Sequence, residues 1–171
     1  RLTRFLHRWH ARRAAREPAA TGFVSSPEPR AVGRMATGRQ LLAGNLMFAG
    51  HLVEAPGWLL WDIAPPDAAF SEEIHGFGWL DDLAALGDEE ARALAQRWLW
   101  AWIDRSARGR GAGWEPDIAG RRVLRWIQHA VFLLAGQDKR AADAFFAALS
   151  QQAGFLERRA HTDLLHDAGR A

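Results

Sequence analysis

At 171 residues the chain is long enough for one domain with a substantial core, and its lack of cysteine excludes disulfides and thiolate metal sites. Net charge is only +2 but unevenly spread: residues 1–34 hold eight arginines against Glu17 and Glu28, and the remainder is net acidic. No run of about 18 uncharged apolar residues exists to span a membrane, and no apolar stretch follows the basic N-terminus to make a signal peptide.

Arg1 opens inside a helical pattern, so the N-terminus is expected to be truncated or processed. Residues 2–16, LTRFLHRWHARRAAR, predict a basic amphipathic helix with Leu2, Phe5, Leu6, Trp9 and His10 as its stripe and arginines around it. Two readings apply: a contact to an anionic surface or nucleic acid, or, with more weight, a peripheral helix packed on the rest with its arginines solvated. Residues 17–33, rich in Pro, Gly, Ser and Ala, form a linker. A short helix is expected at 36–42, then a small hairpin or extended arm near 46–55. Pro56, Pro65 and Pro66 punctuate a loop bearing Trp58 and Trp61, which reads as a sugar-stacking platform or, more ordinarily, a lid over the core.

The chain is organised around 71–136, which holds five of the nine tryptophans on three predicted helices, with Trp114 in a loop between them. Helices are expected at 71–86, 89–106 and 118–135, with Ser71, Asp88 and Asp117 as N-caps and Gly87, Gly109 and Gly136 at the C-terminal ends. Gly76 and Gly78 are costly inside a helix, so the first one has a close backbone approach there or starts nearer Trp79. The second carries Ala91, Leu94, Ala95, Trp98 and Trp102 on one face and Trp100 on the other. The third has Val123, Ile127, Ala130, Val131 and Leu134 as its core face and Arg122, Trp126 and His129 as a second stripe. A fourth is predicted at 139–159 behind the N-cap Asp138, with a frayed tail over 160–171. Short loops make the helices antiparallel, and two-sided helices suit a layered array of helical hairpins.

His51, His75 and His129 have no metal-type partner three or four residues on, and His161 and His166 are five apart, so no metal is expected. Asp81 and Asp82 are adjacent, on different azimuths, and read as solvated helix surface. The constellation with chemistry is Trp114, Arg121, Arg122, Arg125, Trp126 and His129. Arginine forks grip carboxylates or sulfates and tryptophan stacks on a sugar, so these residues could wall a cleft for an acidic saccharide. From spacing alone the weightier alternative is structural: Trp126 in the core, and the arginines paired with acids such as Asp104 or Asp117.

The ordered set GRQLLAGNLMFAGHLVEAPG, Trp61-Asp62-Ile63 with its prolines, HGFGWLDDLAALGD, WAWID and GWEPDIAGRRVLRWIQHAVFLL resembles the N-terminal helical region of bacterial heparinase II/III-like polysaccharide lyases over about residues 35–158. The resemblance implies an all-α fold of antiparallel hairpins forming part of an incomplete α/α toroid, a basic helix and linker before it at 1–34, and a β-sandwich region following in full-length members. It implies β-elimination on uronic-acid polysaccharides, an acidic polysaccharide as partner and a periplasmic setting. The chemistry needs donors to neutralise a carboxylate, a base for the C5 proton and an acid for the departing oxygen. The family's acid/base tyrosine lies later in the toroid; this chain has no tyrosine, and its only asparagine, Asn45, matches no family motif. No catalytic residue therefore carries over, and the chain is expected to be an inactive helical fragment of a longer lyase, needing no cofactor and binding no nucleic acid. The alternatives from other classes are a non-enzymatic helical interaction module and an anionic-surface binder acting through residues 1–16.

Overall fold

Asp88 and Asp138 cap their helices as their positions imply. Asp88 Oδ1 accepts from Ala91 N, and Asp138 Oδ1 from Ala141 N, each at 2.8 Å. The structure, a computed structural model, describes residues 2–16, 18–22, 32–106, 109 and 111–168, the side chains of 2–5 and 164–168 excepted. These residues form an all-α fold with one small hairpin: α1 (Leu2–Ala14), α2 (Met35–Leu42), β1 (Asn45–Phe48), β2 (His51–Glu54), α3 (Ala68–His75), α4 (Gly78–Leu86), α5 (Glu89–Ser106), α6 (Pro116–Gln128), α7 (Ala130–Leu134) and α8 (Lys139–Ala168). Short 3-10 turns stand at Leu60–Asp62 and Ala112–Trp114.

The expected arm is this hairpin, antiparallel with Asn45 opposite Glu54 and Phe48 opposite His51. Its two-residue turn, Ala49-Gly50, has φ of 50° and 81°, the left-handed pair that matches strand twist in a tight hairpin. The amide of Ala49 donates to Glu73 of α3, and His51 Nε2 lies 2.9 Å from Asp67 Oδ2, so the turn end of the hairpin is tied to the start of the helical core.

Two predicted helices are each broken in the structure. The expected 71–86 helix divides at Gly76-Phe77, where Phe77 takes a left-handed φ of 60°. Its first half starts early, at Ala68, because Asp67 rather than Ser71 caps it: Asp67 Oδ1 accepts from Phe70 N at 2.8 Å. The expected 118–135 helix divides at His129, whose φ and ψ are −109° and 18°. It starts at Pro116, not after Asp117, since a first-turn proline lacks only an amide that would have no partner there. Conversely, α8 runs through the expected frayed tail to Ala168. Thr162 Oγ1 donates to Arg158 O at 2.8 Å, and Arg159 Nη2 donates to Asp163 Oδ1 at 3.1 Å. Once nucleated, a helix gains a backbone bond for each residue added.

Phe77 is the hub of the core. Its ring, fully buried, lies 4.6 Å from Trp79, 5.6 Å from Trp126, 5.7 Å from Trp61 and 5.9 Å from Trp102. Three indole N–H groups find backbone carbonyls: Trp61 donates to Trp98 O at 2.7 Å, Trp79 to Ile74 O at 3.1 Å and Trp114 to Ser106 O at 2.8 Å. In the proline-rich loop, Trp61 therefore closes over the core, while Trp58 is exposed. As the pattern of α5 implies, Trp98 and Trp102 are core residues, and Trp100 is half-buried on another side.

Trp98 tests that face. It is 2% exposed and its Nε1–H has no acceptor among the described residues. Trp98→Ala is expected to cost about 3 kcal/mol, the lower part of the range for aromatic truncation, because removing an unpaired buried N–H returns part of the loss. Trp98→Phe is expected to cost under about 1 kcal/mol for the same reason. Chemical denaturation of the two variants measures both.

The basic helix α1 packs along α8, with Gln151 Nε2 donating to Ala11 O at 3.0 Å and the His7 ring edge-on to Phe155 at 5.8 Å. Among the described side chains the face it buries is His7, His10, Ala11 and Ala14, which keeps His10 of the expected stripe and leaves out Leu6 and Trp9. Alanines let two helix backbones approach closely, so the small face wins the contact, and Leu6 and Trp9 point outward at 36% and 47% exposure. The side chains of Leu2 and Phe5, and linker residues 17 and 23–31, lie outside the described residues.

Candidate functional site

Arg122, Trp126 and His129 share one face of α6 by their four- and three-residue spacings, and that face turns inward. Trp126 is fully buried and His129 5% exposed, while Val131 and Leu124, expected in or beside the core face, are 77% and 59% exposed. The break at His129 bears on Val131, since an apolar stripe counted across 118–135 assumes one unbroken helix.

Arg122 is buried with no exposed area and faces no carboxylate. Its Nε donates to Gln152 Oε1 on α8, and Nη1 donates to His75 O at 3.0 Å and to Gly113 O at 2.9 Å. Its guanidinium carbon lies 4.1 Å from the Trp102 ring centroid, a cation–π contact in a desolvated setting. Burial pushes its pKa down to about 9, which leaves it protonated at neutral pH. Gly113 is required here, since a Cβ would lie 2.8 Å from His75 Nδ1 and 3.2 Å from Arg122 Nη1.

One turn along α6, Arg125 Nε donates to Asp81 Oδ2 at 2.9 Å and Nη1 to Gly76 O at 3.2 Å. His129 Nε2 meets the other oxygen, Asp81 Oδ1, at 2.8 Å. Asp81 thus bridges α4 to α6 and is 9% exposed, so the solvated-surface expectation for Asp81 and Asp82 is corrected. Burial opposes the Asp81 carboxylate, but hydrogen bonds from His129 and Arg125 outweigh it and hold its pKa below the usual value. Asp82, half-buried, accepts from Arg34 N at 2.7 Å, and burial raises its pKa. The arginine–acid pairing anticipated as the structural alternative does form, with Asp81 in place of Asp104 or Asp117.

The remaining two candidates separate. Trp114 is 2% exposed, stacked with Trp102 at 6.3 Å and edge-on to Phe155 at 5.3 Å. Its faces are occupied from within. Arg121 is exposed on the outside of α6. The six residues therefore do not line one open cleft: five belong to the interior or its polar seam, and Arg121 alone is exposed. Among the described residues, no group of three or more His, Asp or Glu is placed to hold a metal ion.

Over 143 residues, 82% of this chain, the sequence is 31% identical to FtsZ-localized protein C of Caulobacter vibrioides (strain NA1000 / CB15N). The matched stretch is 24% of that relative, so the chain spans about a quarter of the length of the curated protein it matches. No family model and no solved structure matches the chain.

Sequence reading gave His75, at the head of HGFGWLDDLAALGD, no role of its own. In the structure Trp102 Nε1 donates to His75 Nδ1 at 3.1 Å, beside the Arg122 guanidinium. Protonation would turn that acceptor into a donor facing another N–H. Burial first, and the charge of Arg122 second, lower the His75 pKa from 6.5 to about 4. Since the folded value lies below the unfolded one, the stability it protects is complete above pH 6.5 and drains away toward pH 4, where the unfolded chain binds the proton first. The expected loss by the lower limit is roughly 3 kcal/mol, with His7 and His10 acting in the same sense because burial lowers their pKa as well. Denaturation midpoints across this window measure it, and His75→Phe should flatten the slope.

Proposed function

We propose that this chain is the helical, non-catalytic part of a longer protein of the heparinase II/III-like kind, an arc of an α/α toroid that acts as a scaffold, and that the longer protein is localised with FtsZ. The observation that carries the scaffold reading is the engagement of the cationic candidates. Arg122 is fully buried with Nε and Nη1 on Gln152 and two backbone carbonyls, and Arg125 and His129 hold Asp81, so none of them is presented to neutralise a uronate. The resemblance over residues 35–158 supports the family, and the likeness to a protein named as FtsZ-localized supports the cellular setting. A β-elimination needs a group to take the C5 proton and donors aimed at the enolate-like charge. The chain supplies no tyrosine for that, and of the six candidates only Arg121 is exposed to meet an acidic polysaccharide.

Two measurements test this. Incubation of the chain with heparin, heparan sulfate, alginate or hyaluronan should give no ultraviolet absorbance from unsaturated uronate; an enzyme-dependent rise would refute a non-catalytic scaffold. A fluorescent fusion of the longer protein should follow FtsZ in dividing cells, and diffuse fluorescence would refute the setting.

A second reading, contact with an anionic surface through α1, has its own observation. The outward face of α1 combines Leu6 and Trp9 with Arg8, Arg12 and Arg13, and the Arg13 guanidinium lies 5.3 Å from the Trp9 ring centroid. A helix with an apolar strip between cations can lie in a lipid headgroup region without spanning it. Among the described residues no helix is long and apolar enough to cross a membrane. Co-sedimentation with phosphatidylglycerol vesicles, lost on raising salt and in Trp9→Ala, is the expected result. Equal partition onto phosphatidylcholine would exclude an electrostatic contact.

A further inference from the structure

α1 lies antiparallel on α8: Ala11 O accepts from Gln151 Nε2 at 3.0 Å, and one turn back the His7 ring meets Phe155 edge-on at 5.8 Å. Two of the described side chains buried in that contact are histidines, His7 at 4% exposure and His10 at 8%. Both ring nitrogens of His7 and Nδ1 of His10 are closed off from solvent and have no hydrogen-bond partner among the described residues. Such a seam holds best while the rings are neutral. A proton added to a buried nitrogen with no acceptor in front of it brings the desolvation cost of a charge, and that cost disappears once the helix lifts into water.

Among the described residues, the charged groups around the two rings do little to hold a second charge. Those acting on His10 are all basic: Arg158 and Arg159 of α8, and His7 and Arg13 of α1. His7 faces Glu115, just before α6, with Nδ1 3.4 Å from Oε2, and Arg159 and Asp163 of α8, which are already bound to each other at 3.1 Å. The Ala112–Trp114 turn and Gly109, which also meet α1, bear no charge. Burial is the largest influence on both rings and lowers both pKa values. The docked values lie below the 6.5 of a released ring, so docking is undiminished above that pH and weakens as pH falls, by up to about tenfold per pH unit for each histidine. The core is set lower, since His75 titrates at about 4. The segment after α1 is pinned by an uncharged bond, Ala20 N donating to Ser150 Oγ at 2.9 Å, so α1 can lift while that point stays.

We propose that α1 is a proton-released arm: uptake of protons by His7 and His10 lifts the helix off α8 while the aromatic core stays folded, and the released, more cationic helix is the form that an anionic lipid surface takes up. This rests on the reading of α1 as an anionic-surface contact and supplies its regulation. The Leu6–Trp9 strip faces outward already in the docked state, and release adds the charge of both imidazolium rings to it. Linkage makes the control reciprocal: a surface that prefers the protonated helix also raises the pH at which α1 lets go.

Hydrogen exchange read by mass spectrometry on the 171-residue chain, stepped from about pH 7.5 to about pH 5 and corrected for the pH dependence of exchange itself, tests this. The amides of α1 are expected to lose protection by about tenfold or more over that range, while those of α5 and α6 keep theirs. His7→Phe with His10→Leu, neutral at every pH, should hold α1 in place throughout. Glu115→Gln, which removes the carboxylate facing His7, should move release to higher pH. Phosphatidylglycerol vesicles should do the same, and phosphatidylcholine vesicles should not. Unchanged protection of α1 at the low end, a loss shared by α5, the same loss in the double variant, or a shift to lower pH in Glu115→Gln would overturn the proposal. The vesicle arm separates it from the reading it rests on. Binding to phosphatidylglycerol that is the same at every pH overturns the proton control and leaves the surface contact standing. Release without binding at any pH overturns the surface contact, and with it this use of the arm.

Discussion

Phe77→Ala is expected to lower stability by about 4 kcal/mol, although the native residue sits in an unfavourable backbone conformation. A left-handed non-glycine residue costs on the order of 1–2 kcal/mol, and Phe77 holds φ at 60° between α3 and α4. The surroundings over-determine it. The ring is fully buried among Trp61, Trp79, Trp102 and Trp126, which belong to the proline-rich loop, α4, α5 and α6. Truncation to alanine removes the ring, leaves a cavity against four large aromatics and keeps the strain. Phe77→Gly also loses the ring but relieves the strain, so it should be about 1 kcal/mol more stable than the alanine variant. That inverts the order of alanine and glycine found inside helices. Denaturant unfolding of both variants decides it: an alanine variant within about 1 kcal/mol of the parent would mean that the ring is not the hub, and glycine below alanine would mean that the left-handed turn is not retained.

Arg122→Ala is expected to cost about 3–5 kcal/mol, from a different balance of terms. Removing a buried cation returns its desolvation cost, which is why charge-free replacements of similar volume can be tolerated. Against this stand a cavity beside Trp102, the lost cation–π contact and three acceptors without a donor: Gln152 Oε1, His75 O and Gly113 O. Arg122→Met fills most of the volume and should recover about 1–2 kcal/mol of the loss. Arg122→Lys keeps the charge but not the planar fork that reaches α3, the Gly113 turn and α8 together, so it should fall below Met. The Met variant also has a spectroscopic signature. The charge of Arg122 helps to depress the His75 pKa, so the His75 ring should titrate at higher pH in Arg122→Met, as followed by NMR. An alanine variant as stable as the parent would assign the buried guanidinium no structural role.

Both sites show why the sequence is partly legible. Local signals survive folding because they are satisfied within a few residues. Asp88 and Asp138 cap the next turn through their own side chains, Gly87 and Gly136 take the left-handed φ that ends a helix, and the Ala49-Gly50 turn suits a hairpin. The all-α class, the hairpin near 46–55 and the core positions of Trp98 and Trp102 follow from such signals and from helical spacing. Those spacings do not say which of two stripes on a helix faces inward. On α6 the polar Arg122–Trp126–His129 stripe is buried alongside Val123 of the expected face, because partners 30 to 48 residues away in sequence were there to satisfy it. On α1 the alanine face won over the Leu6–Trp9 stripe because α8 lay close enough to use it.

The sequence by itself therefore determined the helical class, most helix starts and stops, the tryptophan-rich centre and the absence of a tyrosine for base chemistry. Only the tertiary structure decided that Arg122 is a buried tie, that Asp81 is the seam between α4 and α6, and that His7 and His10 are buried where α1 meets α8. The physical reason is range. Capping and periodicity act within one or two turns, whereas the environment of a charged side chain is set by whichever distant segments exclude water around it, and that depends on how the helices are arranged in space.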